Sequence, residues 1–442
     1  MVKDLSYRVG AGVRALQPEE ADAVLYGVSA LFALLTIELS DTPLYRQWAG
    51  LAIGPYVAAA VISLAVGLHR RRIAGVPDRR PDRRWSNPRI ALFLLVLFGA
   101  TLIPLSLEVA WRSDGNAANH VQPEVPVVEQ AAHRLTHGLD PYHATVVKGR
   151  VVSVVPGEPA VDAFYPYLPL MTVFGLPSSL HAPIQLTDAR IMFSAVTLLV
   201  VLGALALARA PTEPKIRTLQ VLTALPTAAL LLATGGDDMP VVAFLLLAMV
   251  LAQRRRPGWS GIVLGVVSAM KFTAWPLAVL ALFAARDAAG KRAPGRMVLG
   301  MLVVAGPVVT PFLVHNPHVF IVNVILFPLG LSGVASPAAS PLPGHLLVNA
   351  FPALHHVLPI AACGLGGAVL VRHLVMHTPR STAEVTRLAG WVMLIAILVA
   401  PATRIGYLVY PINFFVWAAL FKGADRMELP ELAVPAGTAA LI

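Results

Sequence analysis

The chain has 442 residues, of which 57% are hydrophobic and only 13% charged. A soluble domain carries about 25% charged residues, so this composition excludes an ordinary soluble enzyme and a disordered chain and points to a polytopic membrane protein. Cys363 is the lone cysteine, which rules out an intrachain disulfide framework, Cys-based zinc sites and iron–sulfur clusters, and the excess of 34 basic over 24 acidic residues fits basic cytoplasmic loops without calling for nucleic acid.

The first twenty residues are polar, so no cleavable signal peptide is expected. A membrane-spanning helix needs about 20 mostly apolar residues. That rule predicts spans near 22–39, 50–68, 90–110, 190–209, 217–234, 239–252, 296–314, 357–376, 387–402 and 406–421. The spans at 239–252 and 387–402 are short and need polar neighbours or a thinner bilayer. Between Arg70 and Arg89 stand eight arginines against two aspartates, which places residues 69–89 and both termini in the cytoplasm. Residues 112–165 then form a long external loop with six acidic and four basic residues, the opposite bias.

Alternation continues if residues 165–180 form a short re-entrant or interfacial helix that does not cross. Residues 259–285 have basic flanks on both sides and read as a broken hairpin with Lys271 near its tip. Residues 315–356 are expected outside, with an interfacial helix near 318–330 and a Pro/Ser loop at 334–343. The expected fold class is an all-α polytopic membrane protein, with about ten transmembrane helices plus re-entrant and interfacial helices.

Charged groups at membrane depth are costly and commonly functional. Here they collect towards one side: Glu108, Asp114, Glu124, Glu129 and Asp140, then Asp237, Asp238, His315, His318 and Arg404. Glu124 stands at the entry of a short helix whose apolar spacing runs from Val127 to Leu135, and Gly138 with Asp140-Pro141 ends it. His133 and His137 have i,i+4 spacing but no convincing third ligand nearby, so no metal is expected. Thr234 to Pro240 reads as a tight turn with two aspartates or as a binding site for hydroxyls. Arg404 either snorkels to headgroups or clamps a phosphate with its planar fork. Lys271, inside an apolar hairpin, must find an anion, a carbonyl or water.

Four stretches occur in an order that resembles the C-type membrane glycosyltransferases, in particular family 87, which includes the polyprenyl-phosphate-mannose-dependent α-mannosyltransferases of actinobacteria. They are Glu124-Val-Pro-Val-Val with Asp140-Pro141-Tyr142, Tyr165-Pro166-Tyr167-Leu168-Pro169-Leu170, Gly261 to Lys271, and Arg404 to Pro411. The resemblance runs over about 88–421. It divides the chain into an N-terminal segment 1–87 with two extra helices, a glycosyltransferase-like domain 88–421 and a tail 422–442. The family's usual acidic residue is an aspartate where this chain has Glu124, and its tyrosine corresponds to Val128.

The resemblance implies C-type architecture and an inverting transfer of a sugar, mannose first, from a polyprenyl-phosphate donor to a lipid or glycan acceptor at the outer face of the plasma membrane. Glu124 is then the base candidate, with Glu129 and Asp114 as runners-up. Arg404 and Lys271 become candidates for the donor phosphate, and Tyr142, Tyr165, Tyr167, Asp237, Asp238, His315 and Tyr407 for substrate contacts. The scheme requires no cofactor; its partners are the donor, the acceptor and membrane lipid. A transporter or flippase of a lipid-linked substrate is the competing reading, and it would place its acids across the membrane depth.

Overall fold

The computed structural model describes residues 16–73, 87–115, 119–152, 160–180, 182–334 and 336–428. Residues 1–15, most of the arginine-rich stretch (74–86) and the end of the tail (429–442) lie outside the described residues. In chain order the helices are α1 Pro18–Leu39, α2 Pro43–Ile73, α3 Asn87–Val96, α4 Ile103–Ser113 and α5 Glu124–Thr136. There follow α6 Ile184–Thr187, α7 Ala189–Leu207, α8 Thr212–Thr223, α9 Pro226–Thr234 and α10 Asp238–Gln253. Then come α11 Pro257–Ser268, α12 Trp275–Ala289, α13 Ala293–His315, α14 Pro317–Ile321, α15 Pro343–Ala350, α16 Leu354–Met376, α17 Thr382–Val399 and α18 Val409–Glu428.

The all-α polytopic class is what the structure has. Among the described residues nine helical stretches are long and apolar enough to cross a membrane, and Asp238–Gln253 is a shorter apolar helix beside them. By packing, the chain forms two units: residues 1–121 with 220–234, and residues 122–219 with 235–442.

The first unit is built on the α1–α2 hairpin. Pro18 opens α1, and the Glu20 side chain accepts from the Gln17 backbone N–H at 3.0 Å, closing the first turn. Arginines at the end of α2 meet these acids, Arg70 with Glu19 and Arg71 with Glu20. Arg89 reaches Asp22 at 2.6 Å, and Gln220 donates to Asp22 at 3.1 Å and to the Tyr26 hydroxyl at 3.0 Å. The α3–α4 span contains a π-helical stretch at Leu97–Leu102. Its Ala100 carbonyl accepts from the Trp48 indole at 2.8 Å, a bond that the widened turn makes available.

In the second unit α10 is the centre. It packs against α7, α11, α12, α17 and α18, and twelve of its sixteen residues are buried. Its short length follows from that position: a helix enclosed by protein has no bilayer thickness to match. The tight α11–α13 contact rests on Gly261, where a Cβ would run into the Met297 backbone. By contrast α13 and α16 expose most of their apolar side chains, as helices facing lipid do.

Several expected partial elements take forms that periodicity did not define. Residues 165–180 do not form an α-helix; Pro169–Ser179 is a 3-10 helix packed on α5. The broken hairpin is α11, a 3-10 turn at Phe272–Ala274, and α12. The helix near 318–330 is α14 followed by a π stretch at Val322–Leu326. A two-stranded hairpin, Val146–Val147 with Arg150–Val151, and the helix α15 were not anticipated.

Candidate functional site

Helix breaks in the second unit supply the charged groups. Lys271 lies in extended backbone after α11, and its Nζ sits 3.0 and 3.2 Å from the two Asp237 oxygens and 2.7 Å from Asp238 Oδ1. Asp237 and Asp238 start α10, where exposed N–H groups favour negative charge. The chain reaches them through Gly235 at φ +113°, a backbone state closed to most side chains, and a Cβ there would strike Val125. Tyr410 donates to Asp238 Oδ1 at 2.6 Å and lies 2.7 Å from the Thr273 hydroxyl. The ammonium of Lys271 stands 5.3 Å from the Tyr167 ring centre and 5.7 Å from that of Tyr407, within cation–π range.

The second charged group is the ion pair of Glu124, the first residue of α5, with Arg404. Backbone pairing holds Arg404 from both sides. Thr403 N donates to Ala338 O at 2.8 Å, Ser340 N to Thr403 O at 2.9 Å, and Ile405 N to Ser340 Oγ at 3.1 Å. One oxygen of Glu124, Oε2, is buried with no hydrogen-bond partner, and so is the Tyr165 hydroxyl.

The segment Tyr165–Pro169 runs between these groups. Leu168 N donates to Met270 O and Leu170 N to Ala269 O, both at 2.9 Å, docking it on the break that carries Lys271. Asn323 accepts from Tyr165 N at 2.9 Å and donates to Ala144 O at 3.0 Å. Tyr142 donates to Tyr167 O at 2.8 Å, and its ring centre is 5.4 Å from that of Tyr165.

Burial pushes the Tyr167 hydroxyl well above its ordinary pKa; Asp237 and Glu124 add to the rise and Arg404 opposes it. Burial also pushes the Asp237 carboxyl up to about 7, with Lys271 pulling it back and Asp238 and Glu124 pushing further. Both ion-pair groups therefore belong to one electrostatic neighbourhood, in which Asp237, Asp238 and Glu124 face Lys271 and Arg404.

The family model of glycosyltransferase family 87 matches residues 164–401, just over half of the chain. The chain belongs to glycosyltransferase family 87. It is a multi-pass membrane glycosyltransferase, acting on a sugar donor and an acceptor. No curated protein matches it. The match is narrower than the 88–421 resemblance. It contains Tyr165, Tyr167, Asp237, Asp238, Lys271 and His315, and it stops short of Glu124, Tyr142, Arg404 and Tyr407.

This glycosyltransferase brings most of the expected residues together, but not all. Glu129 lies on α5 and accepts from Ala189 N at 3.0 Å, so it caps the N-terminus of α7. Asp114 belongs to the first unit, exposed at the end of α4. His315 is exposed in the last turn of α13, and among the described residues no hydrogen bond or ion pair ties it to the cluster. The His133 and His137 rings lie tilted by 44° against each other, their centres 4.2 Å apart. Among the described residues no group of three or more His, Cys, Asp or Glu is suited to a metal ion.

Tyr410, Thr273, Asn323 and the buried Asp188–Arg190 pair (2.8 Å) also take part in holding the site or its supports, and none was singled out from sequence. Asn323 carried a usable signal: it is an amide inside the apolar run Val319–Phe327 and must find partners when buried.

Proposed function

We propose that this family 87 enzyme transfers a sugar, mannose in the first instance, from a polyprenyl-phosphate donor to a lipid or glycan acceptor at the outer face of the plasma membrane, with inversion. The observation that carries the reading is Glu124: a half-buried carboxylate with one oxygen on Arg404 and the other, Oε2, buried without a partner, beside the buried Tyr165 and Tyr167. In the proposed step the acceptor hydroxyl donates to Glu124 Oε2, and its oxygen attacks the anomeric carbon from the face opposite the phosphate. The new C–O bond forms as the bond from carbon to phosphate oxygen breaks. The electron pair leaves with polyprenyl phosphate, and the hydroxyl proton ends on Glu124. General-base help of this kind is worth about 10²–10⁴-fold.

Arg404 is assigned to the leaving phosphate, because a guanidinium fork matches phosphate oxygens. Lys271 organises Asp237 and Asp238, which with Tyr165, Tyr167 and Tyr407 offer acceptors and ring faces to sugar hydroxyls. The outer-face assignment rests on the arginine distribution.

The test is transfer of labelled mannose from polyprenyl-phosphate mannose to a membrane lipid extract by the purified chain in nanodiscs. Labelled product with this donor and none with a nucleotide-linked sugar is the expected result; use of the nucleotide sugar alone overturns the donor assignment. In a Cys363→Ser background, a cysteine placed at Gly115 is expected to react with an impermeant reagent from outside and one at Gly75 to stay unlabelled. The reverse pattern moves the site to the other face.

A further inference from the structure

The Glu124–Arg404 pair sits awkwardly with the base role given to Glu124, and the inference that follows rests on that role. The carboxylate that is to receive the acceptor proton and the guanidinium that is to hold the donor phosphate are bound to each other, through Glu124 Oε1. The donor, however, brings a phosphate, which binds the same guanidinium through the same forked geometry. We propose that the Glu124–Arg404 pair is a latch opened by the donor: the phosphate takes over Arg404, and Glu124 is released to the acceptor only once the donor is seated.

The two cations of the site differ in what an incoming phosphate would meet. Lys271 has a side chain only 6% exposed and contacts both Asp237 and Asp238 within 3.2 Å, so a phosphate there would face two carboxylates. The Arg404 side chain is 28% exposed and pairs with Glu124. Its backbone is pinned through Thr403, Ser340 and Ile405, so the exchange needs only side-chain rotation. Glu124 lies at the first turn of α5, directly after Pro123, with Oε2 already buried and unpartnered. That oxygen is where an acceptor hydroxyl would donate, while Oε1 is the one released. The latch imposes an order: donor first, then acceptor.

Glu124 and the phosphate compete for Arg404 in this scheme, and competition can be measured without any transfer. The probe is sugar-free polyprenyl phosphate, titrated into the full chain in detergent micelles and followed by intrinsic tryptophan fluorescence. Glu124→Gln removes the competing charge and is expected to bind the probe about tenfold more tightly than wild type, a change of about 1.4 kcal/mol. Arg404→Ala is expected to bind at least about tenfold more weakly. If Glu124→Gln binds no better than wild type while Arg404→Ala still loses affinity, the pair is a fixed scaffold that aims Arg404, and the latch is overturned with the donor reading intact. If wild type itself fails to bind polyprenyl phosphate, the donor reading falls and the latch with it. Glu124→Ala is read in the same way should the Gln variant not remain monodisperse.

Discussion

Lys271 and Arg404 are both cations placed at helix breaks beside buried tyrosines, yet their surroundings are opposite in kind. Lys271 is enclosed, holds two carboxylates that start α10, and is one knot in a network that continues through Tyr410 to Thr273. Arg404 is partly open, and the carboxylate it pairs with keeps one oxygen unpartnered. Completeness separates the two roles. A fully satisfied buried network fixes geometry, because removing any member leaves a charge stranded. A half-satisfied pair at an accessible edge can exchange partners with a substrate. Composition alone makes the two residues look alike; only their partners tell them apart.

The sharpest way to break the comparison is to remove the enclosed cation. Lys271→Met leaves Asp237 and Asp238 buried together without a counter-charge. Breaking a buried pair in this way costs about 3–5 kcal/mol. The variant is expected to show a large drop in denaturation midpoint in detergent, and Lys271→Met with Asp237→Asn is expected to recover part of it. A Lys271→Met protein that melts like wild type would mean that the network is not the scaffold described above.

The next effect is on chemistry and should leave the fold alone. Glu124→Gln keeps shape and a hydrogen bond to Arg404 but cannot accept a proton at neutral pH. Sugar transfer is expected to fall by about 10²-fold or more, with the melting temperature close to that of wild type. Near-normal turnover would remove Glu124 as the base and pass that role to another carboxylate.

The contrast between the two cations also marks what the sequence made visible. The spans were legible because about 20 apolar residues in a row have few alternatives to crossing a membrane. Lys271 and Arg404 stood out because charge in such runs is costly. Their partners were hidden. Asp237 lies 34 residues from Lys271, and Glu124 lies 280 from Arg404, so no periodicity links them. The 3-10 form of Pro169–Ser179 and the π stretches at 97–102 and 322–326 were equally hidden, because packing against neighbours selects them over ordinary helix. Glu129 was a runner-up to Glu124, since both stand on α5; its bond to Ala189 N, which no sequence pattern displays, gives it a different task.

Arg404 itself should give an intermediate effect. Losing a charge-assisted contact to phosphate costs roughly 1.5–3 kcal/mol, so Arg404→Ala is expected to raise the apparent KM for the donor about 10- to 150-fold. Arg404→Lys keeps the charge without the fork and is expected to recover only part of the loss. Equal donor KM in wild type and Arg404→Ala would assign the phosphate to another group, and the distinction between an enclosed and an exchangeable cation would lose its functional meaning.

The smallest effect is expected at Glu129, and it tests whether α5 carries its acids for different purposes. Glu129 Oε1 accepts from Ala189 N at 3.0 Å, next to Asp188, whose own side chain accepts from Arg190 N at 2.9 Å. Together these carboxylates satisfy N–H groups at the start of α7 that have no partner within the helix. Glu129→Gln retains an oxygen that can accept the same bond and loses the favourable charge at the helix N-terminus. That charge is worth about 0.3–1 kcal/mol. Transfer is therefore expected to stay within about twofold of wild type, with a small fall in melting temperature. A dead Glu129→Gln beside an active Glu124→Gln would reverse the assignment: the helix cap would be the base, and the Glu124–Arg404 pair would be the structural one.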